Sequence, residues 1–189
     1  MVLFYINMGK DQKNFFLEMS ETFIISIIII FTIYKFVAFP TLVWGASMEP
    51  NFYTGERILV EKVTKYFKGF NRGDVVVLHP PESNNLEYIK RVVGVPGDIV
   101  KILDCTVYIS RDGQKYKLDE YYLAENTCTI GGIKLKEGRS IKIDEGKYLV
   151  LGDNREKSVD SRIIGLIDAD QILGRVVFRF WPLNKAGFL

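Results

Sequence analysis

The chain has 189 residues, 48% hydrophobic and 25% charged, with a formal net charge of +2 at pH 7. Such a composition excludes wholesale disorder, and the length holds one domain of moderate size plus one accessory segment. The small net charge, mixed in sign and without a long basic block, excludes a nucleic-acid module.

The first predicted element is a membrane anchor. Phe23 to Phe39 reads FIISIIIIFTIYKFVAF, seventeen residues with one charge, Lys35, and two aliphatic hydroxyls, Ser26 and Thr32. At roughly 1.5 Å per residue this helix covers about 25 Å, so a few flanking residues complete a span of about 30 Å. Isoleucine surrounds the helix and leaves no polar face, which argues against a core helix of a soluble protein. Lys35 can snorkel, Tyr34, Phe36, Phe39 and Trp44 suit an interface, and Pro40 stops the helix. A cleavable signal peptide fits less well, because no small-x-small pair follows and Trp44 stands three before the Ala46–Ser47 bond. Lys10 and Lys13 precede the apolar run, whereas no basic residue follows Lys35 until Arg57. The positive-inside rule then gives residues 1–21 as a cytoplasmic segment, 22–40 as a single anchor and 41–189 as an extracytoplasmic β-rich domain.

Beyond Pro40 the texture changes to short apolar runs: RILVEKV (57–63), DVVVLHP (74–80), EYIKRVVGV (87–95), IVKILDCTVYI (99–109), KYLVLGD (147–153) and ILGRVVFRFW (172–181). They are rich in Val, Ile, Tyr and Phe, and NRGD, VPGD, RDGQ, TIGG and DEGK between them are turn chemistry. With no sustained helical period after residue 40, the expected fold class is all-β, a mainly antiparallel domain preceded by one transmembrane helix. Residues 104–146, the most polar part, read as an elaboration on the core sheet.

Cys105 and Cys128 fall in the exported part, where a disulfide can persist; two free thiols are the other reading. They lack metal-ligand spacing and the chain has one histidine, so neither a metal nor a cofactor is expected. That leaves a serine with a base. His79 in LHPP is one candidate base. Lys90 in EYIKRVVGV is the other: alternation puts Tyr88, Lys90 and Val92 on one strand face and Ile89, Arg91 and Val93 on the other. One cation must therefore share a face with apolar groups. A lysine placed there loses hydration, which favours the neutral amine that a general base needs.

SMEP (47–50), YIKRVVGVPGD (88–98) and LGDNREKSVDSR (151–162) occur in that order just after the anchor, with ERILVEK (56–62) and RGDVVVL (72–78) between. Together they closely resemble the type I signal peptidases, membrane-anchored Ser/Lys proteases that remove signal peptides from exported proteins. The resemblance covers most of residues 41–103 and 147–182. It implies a mainly antiparallel β fold, Ser47 as nucleophile and Lys90 as general base. Ser158 would hydrogen-bond the lysine amine, Asp160 and Arg162 would form a supporting salt bridge, and Asp153 would be a further support. Met48, Phe52, Tyr88 and Ile89 are the implied substrate-pocket positions. Some members carry a hydroxyl two residues before the nucleophile as an oxyanion donor, and here that position is Gly45. The implied partners are preproteins bearing signal peptides and membrane lipid, with a monomeric enzyme. Two rival readings are a processing peptidase dedicated to one secretion or conjugation substrate, and a non-catalytic membrane-anchored peptide-binding domain, which would need neither Ser47 nor Lys90.

Overall fold

Isoleucine and phenylalanine dominate the second half of the first element, FIISIIIIF over 23–31. The computed structural model describes residues 2–83 and 85–189, with side chains from residue 14 onward. It divides into two compact units, Met1–Phe39 and Pro40–Leu189. In the first, α1 (Val2–Thr32) runs into a π-helical turn, Ile33–Val37. Asn14–Val37, 24 residues with mean hydropathy 2.0, is long and apolar enough to cross a membrane. The hydroxyls of Ser20, Thr22, Ser26 and Thr32 donate to carbonyls one turn earlier at 2.7–2.9 Å, so these polar groups are satisfied within the helix. The helix continues through residue 21, where the sequence reading divided segment from anchor, and ends before Pro40 at Ala38, whose backbone is extended.

Strand β1 (Ala38–Leu42) runs from the end of the first unit into the second, where a loop leads to β2 (Arg57–Glu61), α2 (Val63–Phe67) follows, and β3 (Val75–Leu78) pairs with β4 (Tyr88–Gly94). Next come β5 (Ile99–Leu103), β6 (Thr106–Arg111), β7 (Gln114–Lys117), β8 (Ser140–Lys142) and β9 (Lys147–Leu151). The short α3 (Ser161–Ile164) precedes β10 (Ile167–Asp168), β11 (Ile172–Trp181) and β12 (Gly187–Phe188). Eight strands form one sheet in the order β1-β2-β11-β3-β4-β9-β10, with β12 beside β11, and four form a second, β7-β6-β5-β8. Apart from β1–β2, every pairing is registered as antiparallel.

The run 99–109, expected as one strand, is instead a hairpin. Asp104 and Cys105 take φ of 49° and 62°, and Leu103 pairs with Thr106 across them. Two successive positive φ values are the geometry of a two-residue hairpin turn, which the apolar pattern around them conceals. Residues 104–146 supply β6, β7 and β8 of the second sheet, whose remaining strand β5 precedes them.

Two apolar clusters fix the middle of the molecule. Val92, Val150 and Tyr148 join Val76, Leu78 and Ile172 in one; Val93, Leu149 and Leu151 join Val100, Ile102 and Val107 in the other. Strands β4 and β9 thus have core on both faces, which is why they read as continuous apolar runs. Each fully buried aliphatic side chain contributes about 1.5–3 kcal/mol, so the position of β4 is strongly determined.

Candidate active site

Ser47 lies in the loop between β1 and β2. The Val43 N–H donates to the Glu56 carbonyl at 2.9 Å and the Gly55 N–H to the Val43 carbonyl at 3.0 Å, closing the loop at its base. Met48 and Phe52, 0% and 2% exposed, plug it into the core. The Met48 carbonyl accepts from the N–H groups of Asn51 and Phe52, a tight turn that holds the preceding Ser47 half-buried. Asn154 N–H donates to the Ser47 carbonyl at 3.0 Å, tying this loop to the segment after β9. That approach needs Gly152: a Cβ there would lie 2.5 Å from the Ser47 carbonyl oxygen and 2.2 Å from Ser158 Oγ.

Lys90 projects from β4 and is 3% exposed. Its Nζ stands 2.9 Å from Ser47 Oγ and 2.9 Å from the Ile89 carbonyl oxygen. Burial pushes the amine down to about 8, with Asp160 and Asp153 pulling the other way. On the opposite face Arg91 meets Asp153 through Nε at 2.8 Å and Nη2 at 2.6 Å, and its Nη1 donates to the Gly73 carbonyl. Burial opposes that charge, but the bonds and charge of Asp153 outweigh it and raise the Arg91 pKa. The sequence pattern put one of these two cations on a face with apolar groups; the structure buries Lys90 and leaves only 12% of the Arg91 side chain exposed, because β4 has core on both sides.

Asp160, 0% exposed, accepts from Arg162 Nε and Nη2 at 2.8 Å each and from Gly152 N–H at 3.0 Å. It also caps α3 through the Arg162 N–H. Hydrogen bonds therefore fix both the Asp160–Arg162 and the Arg91–Asp153 pair, and the two carboxylates act on the Lys90 amine through space. Ser158 is buried next to Gly152, yet its Oγ has no hydrogen-bond partner among the described residues, so the expected bond to the Lys90 amine is not formed here. Tyr88 and Ile89 line a small cavity of about 50 Å³ with Val43, Ile58 and Val77. Met48 and Phe52 do not line it; both are packed inside, Phe52 against the Arg179 guanidinium at 4.9 Å. His79 Nδ1–H donates to the Leu86 carbonyl at 2.8 Å, beyond the end of β3. Among the described residues no group of three or more His, Cys, Asp or Glu is placed to hold a metal.

Sequence reasoning passed over Arg155, Glu120, Asn51 and Tyr122. The Arg155 side chain is fully buried, paired with Glu120 and Thr129, and its Nε donates to the Gly152 carbonyl at 3.1 Å. Asn51 Nδ2 bridges the Tyr122 carbonyl at 2.7 Å and Asp153 Oδ2 at 2.8 Å. The one available signal was the arginine within LGDNR, a cation inside a segment already singled out.

A serine hydroxyl thus stands against a desolvated lysine amine on an antiparallel β fold, in a chain with one helix long and apolar enough to cross a membrane. Residues 16–181 match the family described as signal peptidase, peptidase S26, and the chain belongs to that family. It is 40% identical over 181 residues to signal peptidase I of Bacillus licheniformis, covering 94% of this chain and 95% of the relative. To signal peptidase IB of Staphylococcus aureus strain COL it is 41% identical over 185 residues, covering 92% and 94%. A crystal structure of a signal peptidase I from Enterococcus faecalis V583 aligns with 57% of this chain and 97% of its own, at 26% identity and a TM-score of 0.45.

Proposed function

We propose that the protein removes signal peptides from exported preproteins with Ser47 as nucleophile and Lys90 as general base. The observation that carries this is the 2.9 Å separation of Lys90 Nζ from Ser47 Oγ, made by a lysine only 3% exposed. An unperturbed lysine leaves fewer than about one amine in a thousand neutral at pH 7; a value of about 8 leaves roughly one in ten. The neutral amine takes the Ser47 proton as Oγ attacks the scissile carbonyl. The resulting ammonium protonates the leaving amine, and the acyl-enzyme is then hydrolysed by water that Lys90 activates. The backbone N–H of Ser47 has no acceptor among the described residues and is the first oxyanion donor. Gly45 has no hydroxyl to add, and its N–H is engaged by Thr54 Oγ1 at 2.9 Å.

The extended substrate lies beside Tyr88 and Ile89, whose cavity of about 50 Å³ admits a small side chain and excludes an aromatic one. Asp160, held by Arg162, and Asp153 support the charge balance of the Lys90 amine through space, and Ser158 lies buried beside Gly152 as a further support. The apolar helix anchors the protein, and Lys10 and Lys13 before it assign residues 1–21 to the cytoplasm, 22–40 to the membrane and 41–189 to the outer face. A signal peptide also spans the membrane, so its cleavage site emerges on that side.

The test is cleavage of a preprotein by the detergent-solubilised full chain. Ser47→Ala and Lys90→Ala lose activity by about 10²-fold or more, and His79→Ala retains it. An active Lys90→Ala beside an inactive His79→Ala would sink the assignment.

A further inference from the structure

Residues 118–129 follow β7, belong to neither sheet and carry no motif, yet they touch the supports of both reacting side chains. Cys105, in the β5–β6 turn, is disulfide-bonded to Cys128, 23 positions on, and the Thr129 N–H donates to the Cys105 carbonyl at 3.1 Å. Inside that ring Glu120 pairs with the buried Arg155 guanidinium, to which the Thr129 hydroxyl also bonds. Arg155 passes the restraint on: its Nε holds the Gly152 carbonyl and its own carbonyl accepts from Arg162 Nη2 at 2.6 Å. Gly152 is the residue against which the Ser47 carbonyl rests.

Tyr122 acts on the other side. Its hydroxyl donates to Glu120 at 2.8 Å, and its ring lies 4.2 Å from the Arg91 guanidinium, next in sequence to Lys90. Burial and the Glu120 carboxylate push the Tyr122 phenol well above its ordinary value, so it stays a donor. Its carbonyl holds Asn51, a member of the turn that places Ser47, and Asn51 reaches on to Asp153.

We infer that residues 118–129, clamped by the Cys105–Cys128 disulfide, position Ser47 and Lys90 for reaction, with Glu120 and Tyr122 as the positioning residues. This rests on Ser47 and Lys90 being the reacting pair. Removing the Glu120 charge leaves a buried guanidinium uncompensated, and the segment bearing Gly152 and Asp153 then relaxes. A displacement of the order of 1 Å between reacting groups costs up to about 100-fold in rate, while the cavity beside Tyr88 and Ile89 is untouched. Turnover falls and substrate affinity holds.

The experiment measures kcat and KM of the full-length, detergent-solubilised protein on a preprotein, with the folded fraction at assay temperature read from its thermal melt. Glu120→Gln removes the charge at constant size, and Tyr122→Phe removes one hydroxyl. A Cys105→Ser, Cys128→Ser double variant opens the ring. Dithiothreitol opens it in the wild type, giving up two electrons and two protons to leave two cysteine thiols and an oxidised dithiol. We expect kcat to fall about tenfold in Glu120→Gln and in both ring-opened proteins, and less in Tyr122→Phe, at unchanged KM. Reoxidation restores the wild type, and the double variant ignores the dithiol. Unchanged kcat throughout, beside an inactive Ser47→Ala, overturns the positioning role and leaves the dyad standing. So does a loss that merely tracks the unfolded fraction or appears in KM. An active Ser47→Ala overturns both.

Discussion

Lys90 and Arg91 are neighbours on β4, both cationic and both largely buried, and the two faces of the strand treat them in opposite ways. On one face Asp153 gives Arg91 two short hydrogen bonds, and the charge is retained. On the other, Lys90 meets a serine hydroxyl and a backbone carbonyl, and among the described residues no carboxylate bonds to it. Asp160 and Asp153 act on it only through space. A buried cation with a bonded carboxylate is a strut; a buried amine without one is drawn toward neutrality, where it can accept a proton.

The sharpest way to break this contrast is to make the Lys90 side resemble its neighbour. Lys90→Arg keeps the charge but cannot shed it, so kcat/KM for preprotein cleavage falls by about 10²–10⁴-fold. Retention of most activity would mean that the difference between the faces does no chemistry. Breaking the strut instead, Asp153→Ala strands Arg91, whose side chain is 12% exposed, and costs about 3–5 kcal/mol, read from the urea midpoint.

The pH profile sharpens the comparison without mutation. With Lys90 as the proposed general base and its pKa lowered to about 8, log kcat/KM is expected to rise with unit slope up to about pH 8 and stay flat above. Stability follows the same sign. The folded state holds fewer protons on Lys90 than the unfolded state between about 8 and 10.5, so this group's contribution rises with pH across that window. A wild-type profile already flat at pH 6 would contradict the lowered value. The smallest effect belongs to Ser158→Ala: its hydroxyl has no partner here, so stability moves by less than about 0.5 kcal/mol. If the hydroxyl meets the amine during turnover, kcat drops by about tenfold, the worth of one hydrogen bond.

What was legible in the sequence was local. Val and Ile runs located β2, β3, β4, β9 and β11, and ordered motifs singled out Ser47 and Lys90, which the fold brings within 2.9 Å. The hairpin at Asp104–Cys105 was hidden because its backbone reversal needs positive φ, not a break in apolar character. Strand alternation counted one buried face at Lys90 and Arg91, since it cannot see that a second sheet covers the other. Glu120 and Arg155 stand 35 positions apart, with nothing local in either to announce the pair. Periodicity reports an element's own faces; partners brought from a distance leave no trace in it.

Gly152 has a consequence for how such a chain can diverge. Two of the three atoms that a Cβ there would strike belong to Ser158 and could be cleared by a smaller residue. The third is the carbonyl oxygen of Ser47, main chain that no substitution removes. A lineage can therefore rewrite much of the surface around Ser47, but any side chain at position 152 requires the Ser47 main chain itself to move.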